Sequence, residues 1–456
     1  MDKYLELSNK YDTFIYDSYK VYHKDGKLCV DYHYIIENLE DFNTTLSIDC
    51  AEIKNKNIDN NMLEYLAFHI GMVELLSYYK CVCSKSIIIN CGYLDSEQIN
   101  WFRKLYYNGL GEFFYINNID VSIDTFVNIK CTGKKLDINN NYSGVGNLIT
   151  IGGGKDSIVA CELLRSLYDE NTCFSLNPKS VHKECIDALG YSDKKIFVNK
   201  TYVDKKLIEL NKKGFLNGHT PFSSMLAFIS YFTAYLTGRK YIVLSNESSA
   251  NEATIPGTNI NHQYSKTYEF ECDFNFYTNK YFNIDIKYFS LLRCLSEFQI
   301  AMFMSDYKKY HKVFKSCNVG SKSTPWVWCG KCAKCLFVYI ILSPFLYKDE
   351  LINIFGSDLY EDKELLNIFI ELVGYSNKKP FECVGTFEEA RYAVSILINK
   401  LGDNLPYLLK YYKDNYPLYE NKDILYKLNE ENNIDDKFID IVSEELELCK
   451  KKYLEN

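Results

Sequence analysis

The sequence has 456 residues, of which 47% are hydrophobic and 25% charged, which is enough chain for two or three domains with their own cores. The net charge of −8 argues against a broad surface for nucleic acid or anionic membranes, because such surfaces need clustered lysine and arginine. The first residues hold no apolar signal segment and the 17 cysteines are scattered, so we expect a cytoplasmic protein with reduced thiols and with neither a nucleic-acid nor a membrane partner.

Residues 1–140 are predicted to form a separate N-terminal α+β unit. Its predicted elements are a helix at 63–79 and β-rich runs at 13–22, 27–36 and 86–93. The polar stretch at 137–147, which contains two glycines, marks a predicted boundary. This part of the chain carries no catalytic signature.

Residues 141–345 are predicted to form an α/β domain with a doubly wound parallel sheet. Apolar strands alternate with helices at the spacing of βαβ units. The predicted strands lie at 147–151, 173–176, 195–198 and 241–245, and the predicted helices begin at Ser157, at about Val181 and after Pro221. The uncharged stretch at 217–238 contains His219, Pro221 and several hydroxyl side chains, so it predicts a buried helix rather than a membrane span.

Residues 346–456 are predicted to form a helical C-terminal region. Thr386 precedes two glutamates and an apolar stripe, which is the pattern of a helix N-terminus. The charges of the last segment alternate in sign, which is typical of a solvated helix face.

The segment Gly152-Gly153-Gly154-Lys155-Asp156-Ser157 joins the first predicted strand of the α/β domain to its first helix. Glycines at such a junction expose backbone N–H groups at the positive end of a helix, which favours an anion such as phosphate. The segment is not a Walker A loop, because Asp156 follows Lys155 directly. It is not a dinucleotide fingerprint either, because Ser157 stands where that motif needs glycine.

This segment resembles the PP-loop, Ser-Gly-Gly-x-Asp-Ser, of the ATP pyrophosphatase superfamily, whose HUP-like domains cleave ATP between the α and β phosphates. The resemblance implies that the glycine amides and Ser157 bind pyrophosphate, that Lys155 adds positive charge, and that Asp156 binds Mg²⁺ or caps the helix. The implied ATP-binding residues are Gly152, Gly153, Gly154, Lys155, Asp156 and Ser157. Gly152 replaces the first serine of the motif, which removes one hydroxyl donor.

Four cysteines, Cys317, Cys329, Cys332 and Cys335, have the spacing of a metal site. Two Cys-x2-Cys steps bring adjacent thiolates to one ion, and a fourth thiolate completes a tetrahedron, so structural zinc is the favoured interpretation. An iron–sulfur cluster fits the same ligands, and unmetallated buried cysteines are the third alternative. A similar four-cysteine zinc site follows the PP-loop in 7-cyano-7-deazaguanine synthases.

Further strings resemble a closer family, the UDP-N-acetylmuramoyl-L-alanyl-L-glutamate epimerases (MurL-type). They are NGHTP (217–221), SNESSANE (245–252), NHQYSKTYEFE (261–271), LSEFQIA (295–301), CGKCAKCLFVYIILSPFL (329–346) and KPFECVGTFEEA (379–390). The resemblance is dense from about 147 to 346 and loose in the N-terminal unit. It implies an isomerase that uses ATP and Mg²⁺ to convert the terminal L-Glu of the UDP-linked dipeptide to D-Glu, for peptidoglycan synthesis.

The chemistry explains why ATP belongs in an epimerisation. Removing a Cα proton beside a carboxylate builds a second negative charge on an anionic group, which makes the barrier very high. Attack of the carboxylate on the α-phosphorus of ATP gives an acyl adenylate and pyrophosphate, and its carbonyl can accept carbanion charge. Reprotonation on the other face inverts the centre, and hydrolysis then releases AMP.

Inversion requires one proton acceptor and one donor with pKa values near the working pH. His219, His262 and Cys383, which has Glu382 beside it, are the candidates for these catalytic roles; hydrogen-bonded histidines and a buried thiol are the alternatives. Other candidates are Glu247 for Mg²⁺ or ribose, and Lys266 and Arg293 for the diphosphate or γ-carboxylate of the substrate. Glu247 could instead cap a turn, and the two cations could be surface charges.

Two other functions compete with the epimerase. One is another PP-loop adenylating enzyme, of the 7-cyano-7-deazaguanine synthase or tRNA-thiolation type, although a tRNA enzyme should show a basic stripe that this acidic chain lacks. The other is a non-catalytic ATP-binding protein stabilised by zinc. The intact Lys155, Asp156 and Ser157 disfavour it.

Overall fold

The computed structural model describes residues 3–139, 141–255, 257–258, 260–323, 325–376 and 378–454. The strands are β1 (Thr13–Lys24), β2 (Lys27–Ile36), β3 (Glu40–Asp49), β4 (Ser86–Ile89), β5 (Asn128–Cys131), β6 (Asn147–Thr150), β7 (Asn171–Leu176), β8 (Lys195–Lys200), β9 (Tyr241–Leu244) and β10 (Lys287–Ser290). Together with many helices they give the protein the α/β class that the sequence predicts.

The α-helices follow the chain in order. They are α1 (Lys3–Lys10), α2 (Asn60–Glu74), α3 (Leu76–Tyr79), α4 (Ser96–Gly109), α5 (Gly111–Ile116), α6 (Lys155–Leu163), α7 (Ser180–Ala188), α8 (Lys205–Lys212), α9 (Phe222–Thr237), α10 (Tyr268–Tyr281), α11 (Glu297–Asp306), α12 (Ala333–Leu342), α13 (Lys348–Phe355), α14 (Leu366–Leu372), α15 (Phe387–Leu401), α16 (Tyr407–Asn415), α17 (Asp423–Tyr426) and α18 (Asp436–Leu454).

The chain divides into two compact units, each built from separate segments. The first unit contains Met1–Leu148, Ile196–Ile242 and Ile260–Tyr288, and the second contains Ile149–Lys195, Val243–Asn259 and Phe289–Asn456. The three sequence-based domains, 1–140, 141–345 and 346–456, stay a prediction.

The sheet is mixed rather than parallel throughout, with the strand order β10-β9-β6-β7-β8-β3-β2-β1-β4-β5. The pairs β1–β2, β2–β3 and β3–β8 are antiparallel, whereas β1–β4 and β4–β5 are parallel. In β1–β2 and β2–β3 the connections are too short for a crossover, so these pairs are antiparallel hairpins. Asp25 and Gly26, both with positive φ, form the two-residue turn between β1 and β2. The strands predicted for 141–345 are therefore part of a larger mixed sheet, and their doubly wound parallel arrangement stays a prediction.

The first unit has a strongly aromatic core. The rings of Tyr34 and Phe42, on β2 and β3, both stack on Tyr78 of α3. Helix α2 packs on β1 and on α9, and α9 is buried along nearly its whole length, which confirms the buried helix predicted after Pro221. In the described part of the chain, no helix combines the length and apolar character needed to cross a membrane.

The second unit is organised around two helices. Helix α11 contacts α6, α12, α15 and α18, and every residue of α12 is buried. The predicted N-cap is confirmed, because Thr386 Oγ1 accepts a hydrogen bond from Glu389 N at 3.1 Å. Helix α18 is amphipathic: one face is buried, formed by Phe438, Val442, Leu446 and Cys449, and charged residues lie on the solvated face.

Candidate functional site

The glycine segment forms a tight loop between β6 and α6 in the second unit. Gly153 has φ of +81°, a left-handed conformation that side chains rarely adopt. Its carbonyl oxygen accepts a hydrogen bond from Lys315 N at 2.8 Å. A Cβ built on Gly152 would have no atom within 4 Å, so this position faces open space. The loop is fixed on one side and open on the other.

Helix α6 begins at Lys155, two residues earlier than predicted. Its N-cap residue, Gly154, has no side chain with which to cap the helix. Ser157 Oγ turns back to donate to Gly154 O at 3.0 Å. The N–H groups of a first helical turn and the positive end of the helix dipole favour an anion at this place.

Lys155 lies at the centre of a buried group of charges. Its side chain is 1% exposed, and Nζ contacts the carboxylates of Asp156 and Glu297. Burial would lower the pKa of Lys155, but the nearby Asp156, Glu297 and Glu247 carboxylates outweigh burial and raise the pKa. Lys155 is therefore a permanent cation held next to the loop.

Glu297 is a site residue to which the sequence analysis gave no role. It lies in the first turn of α11, fixed by a capping box between Ser296 and Gln299, and its N–H donates to Glu389 Oε1 at 2.7 Å. Burial, together with the Asp156 and Glu247 charges, raises the pKa of Glu297 to about 8. Its Oε1 atom is buried and has no hydrogen-bond partner among the described residues.

Glu247 and Arg293 lie close together in the second unit. Glu247 is buried, and Arg293 Nη1 donates to its carbonyl oxygen at 2.9 Å. Arg293 is completely buried, so it is not the surface charge that we considered as an alternative. Its observed contact holds the backbone that carries Glu247.

His182, on α7, packs against the glycine loop, and the sequence analysis gave it no role. Its Nδ1 accepts a hydrogen bond from Lys179 N at 2.9 Å, and its ring lies 3.3 Å from the position of a Cβ on Gly153. Burial lowers the pKa of His182 to about 4, although a hydrogen bond to the Gly152 backbone opposes this. The ring is therefore neutral at pH 7 and acts as a support.

The four predicted cysteines meet in one cluster of the second unit. Their sulfur atoms all lie within 4.8 Å of one another. The Sγ–Sγ distances are 3.7 Å for Cys317–Cys332, 3.7 Å for Cys329–Cys335 and 3.5 Å for Cys332–Cys335. Zinc–sulfur bonds of about 2.3 Å in a tetrahedron separate the sulfurs by about 3.8 Å. The cluster therefore has the size that a metal such as zinc requires, and it is too open for disulfides.

Backbone groups support the cysteine cluster. Gly320 N donates to Cys317 Sγ at 3.1 Å, and Lys331 N donates to Cys329 Sγ at 3.5 Å. Such bonds favour the thiolate form that a metal binds. Gly330 has φ of +67°, which gives the chain the turn it needs between Cys329 and Cys332.

The turn that carries Cys383 is attached to the cysteine cluster. Lys334, between Cys332 and Cys335, donates from Nζ to the carbonyl oxygen of Cys383. Asn318 Nδ2 donates to Glu382 Oε2 at 2.6 Å. The cysteine cluster and the turn that carries Cys383, about fifty residues apart in the sequence, are thus linked by hydrogen bonds from side chains.

The two predicted histidines come together in the first unit. The ring centroids of His219 and His262 are 4.5 Å apart. Both rings face Glu112: His262 Nδ1 donates to Glu112 Oε2, and His219 Nδ1 lies 3.6 Å from the same oxygen. Glu112 lies on α5, more than one hundred residues away in sequence, so no spacing rule could have revealed it.

Hydrogen bonds hold the His219 loop in place. Lys80 Nζ donates to Gly218 O and, at 2.6 Å, to Thr220 Oγ1. Asn117 Nδ2, at the end of α5, donates to Asn217 O at 3.1 Å. Lys80 therefore holds both neighbours of His219, and Asn117 ties the same loop to the end of α5, the helix that carries Glu112.

Burial controls the charges of this cluster. It lowers the pKa of His219 to about 4, and the neighbouring His262, Lys80 and Lys266 lower it further against the opposing Glu112. Burial also lowers the pKa of Lys80 to about 8. The cluster holds a neutral imidazole and a lysine that can lose its proton near neutral pH, which are properties of proton-transfer groups. Glu112, His219 and His262 also offer three ligand atoms within 4.8 Å, as a metal site would.

Comparison with known proteins identifies the family. The family model described as the MurL N-terminal domain matches residues 6–291, and the one described as the MurL C-terminal domain matches residues 313–419. Together these matches include the glycine segment 152–157, the histidine cluster and the cysteine cluster.

Three curated relatives share the name UDP-N-acetyl-alpha-D-muramoyl-L-alanyl-L-glutamate epimerase. The relative from Xanthomonas oryzae pv. oryzae is 33% identical over 341 residues, which cover 73% of this chain and 74% of the relative. The one from a Micromonospora species is 32% identical and covers 72% and 73%. The one from Salinispora tropica is 31% identical and covers 87% of both chains. The chain belongs to the MurL family.

Proposed function

We propose that this protein is an ATP- and Mg²⁺-dependent epimerase that converts the terminal L-Glu of UDP-N-acetylmuramoyl-L-alanyl-L-glutamate to D-Glu. AMP and pyrophosphate are released in the same cycle. The names of the relatives support the substrate and the isomerisation. The observation that carries the ATP requirement is the buried Lys155 at the start of α6, directly after three glycines.

The glycine loop is the proposed ATP site, in a domain of PP-loop ATP pyrophosphatase type. Loop amides and the α6 N-terminus would bind the phosphates, and Lys155 would neutralise charge that develops on them. Asp156, Glu247 and Glu297 surround Lys155, and carboxylate oxygens are suitable ligands for Mg²⁺. Asp156 and Glu247, joined by Glu297, would hold that ion, which would add charge neutralisation at the phosphates.

The activation step supplies what proton removal needs. A carboxylate oxygen of the terminal glutamate attacks the α-phosphorus, and the bond from this phosphorus to the β-phosphate oxygen breaks, so that pyrophosphate leaves with the electron pair. The glutamate carbonyl, now part of a mixed anhydride, accepts carbanion charge when the Cα proton is removed. Water finally cleaves the anhydride, which regenerates the carboxylate and releases AMP.

His219 and His262 are the proposed proton-transfer groups, with Glu112 as the carboxylate that they share. A neutral imidazole can accept the Cα proton, and an imidazolium next to Glu112 can return one. Lys80 is a further candidate donor, because its pKa of about 8 lies near the working pH. Cys383 stays a proposed acid–base residue, and its backbone attachment to Lys334 would fix its position.

The cysteine cluster is the proposed site of a structural zinc ion. All four ligands are thiolates, and the sulfur spacing fits tetrahedral coordination. An iron–sulfur cluster is the alternative occupant, and metal analysis with an absorption spectrum distinguishes the two.

One incubation tests the proposed function. Purified protein is mixed with the UDP-linked dipeptide, ATP and Mg²⁺ in D₂O, and AMP release is measured together with deuterium at the glutamate α-carbon. We expect both products. AMP without deuterium would indicate a different adenylation reaction, and the absence of both products would contradict the catalytic proposal.

A further inference from the structure

The phosphate loop lacks one hydroxyl group that its motif leads us to expect. Gly152 stands at the position of the first serine, and nothing lies within 4 Å of a Cβ placed there. Gly152 is not among the glycines with positive φ, so backbone conformation does not explain the glycine. The loop therefore has room for a hydroxyl that it does not carry.

Ser316 brings a hydroxyl to the same loop from elsewhere in the second unit. Its Cβ lies 3.3 Å, and its Oγ 4.0 Å, from the position of a Cβ on Gly154. The Oγ atom is buried and has no hydrogen-bond partner among the described residues. A buried hydroxyl without a partner is costly, so this hydroxyl is available to a ligand at the loop.

The position of Ser316 is fixed from both sides. The preceding residue, Lys315, donates its N–H to Gly153 O at 2.8 Å. The following residue, Cys317, belongs to the cysteine cluster, and its carbonyl accepts a hydrogen bond from Trp326 Nε1 at 2.9 Å. The segment 315–317 thus joins the phosphate loop directly to the cluster.

We propose that the Ser316 hydroxyl donates a hydrogen bond to the phosphate chain of bound ATP and replaces the hydroxyl missing at Gly152. This inference rests on the proposed ATP site. The cysteine cluster would then also position the hydroxyl that binds ATP, because Cys317, the residue after Ser316, belongs to the cluster. The hydroxyl is a binding and positioning group and takes no part in the transfer of protons.

The test is the affinity for α,β-methylene-ATP, which cannot be cleaved at the relevant bond, measured by calorimetry with Mg²⁺. Ser316→Ala should weaken binding about 10- to 100-fold, since a hydrogen bond to a charged group is lost. Adding Gly152→Ser to this variant should restore most of the affinity, because the new side chain enters open space. Ser323→Ala, which alters an exposed serine seven residues further along the chain, is the matched control and should bind normally.

The outcomes separate this inference from the proposed function. Normal affinity in Ser316→Ala overturns the inference, and so does a double variant that binds as weakly as Ser316→Ala, because the effect would then be structural. If Lys155→Ala loses affinity while Ser316→Ala does not, the ATP site stands and only the inference fails. If neither variant loses affinity, both proposals fail.

Discussion

Two buried lysines, one in each unit, differ in the direction of their pKa shifts. Lys155 in the second unit contacts carboxylates, which raise its pKa. Lys80 in the first unit contacts a carbonyl and a hydroxyl, and burial lowers its pKa to about 8. The partners of the ammonium group decide whether burial yields a fixed charge or a group that exchanges protons. The first property suits phosphate binding, and the second suits acid–base chemistry.

Replacing Lys155 should have the largest effect on activity. Lys155→Ala removes the charge that stabilises the reacting phosphates, so AMP release and deuterium incorporation should both fall by about 1000-fold. Folding should be retained, because Glu297, with its pKa of about 8, can take up a proton when its partner is lost. Lys183→Ala, at an exposed position of α7, is the control. Normal deuterium incorporation in Lys155→Ala would refute the phosphate role.

Disrupting the cysteine cluster should mainly affect stability. Cys329→Ser should lower the free energy of unfolding by at least about 3 kcal/mol, because structural zinc contributes on the order of 10 kcal/mol to small metal-binding modules. Metal content and denaturant unfolding are measured together, with Cys50→Ser, half-buried and outside the cluster, as the control. Unchanged stability with a normal metal content would argue against the site.

Replacing the histidines should separate the two chemical steps. His219→Asn and His262→Asn should each lower deuterium incorporation by about 100-fold. AMP release should persist, because the proposed ATP site at the glycine loop is intact. His23→Asn, at an exposed position of β1, is the control. Loss of AMP release equal to the loss of deuterium would show that the histidines act on activation rather than on proton transfer.

The smallest expected effect concerns Lys80, whose lowered pKa should make the free energy of unfolding depend on pH. Its folded pKa of about 8 lies below the ordinary value of 10.5, so between these pH values the unfolded chain binds more protons and stability rises with pH. Relative to Lys80→Met, the wild-type free energy of unfolding should therefore increase by up to about 3 kcal/mol from pH 8 to 10.5. Urea unfolding at several pH values measures this. A constant difference across the window would contradict the lowered pKa, and Lys85→Met, at an exposed lysine, should follow the wild type.

The predictable features are those that are contiguous in the sequence. The glycine segment, the four-cysteine spacing and the Thr386 cap each depend on residues within a short stretch, and their local geometry follows from the order of residue types. The structure brings the four cysteines together as the spacing predicts. The predicted strands and helices of the α/β region also form, with ends shifted by one to a few residues.

The features that the sequence analysis missed depend on contacts between distant segments. The antiparallel pairing of Ser47 in β3 with Asn199 in β8 makes the sheet mixed, and neither strand carries a local signal for its partner. Glu112 reaches the histidines, and Lys80 the loop that carries His219, from other elements, so neither contact has a local signal in the sequence. Glu297 lies within LSEFQIA, one of the strings that resemble the MurL-type epimerases. Its contact with Lys155 could not be read from the sequence.

The direct test of the central claim is deuterium exchange at the glutamate α-carbon of the UDP-linked dipeptide, measured on protein freed of nucleotide. The proposed mechanism predicts no exchange without ATP, and exchange that begins when ATP and Mg²⁺ are added. Exchange at the same rate in the absence of ATP would contradict it, because proton removal would then not require an activated carboxylate.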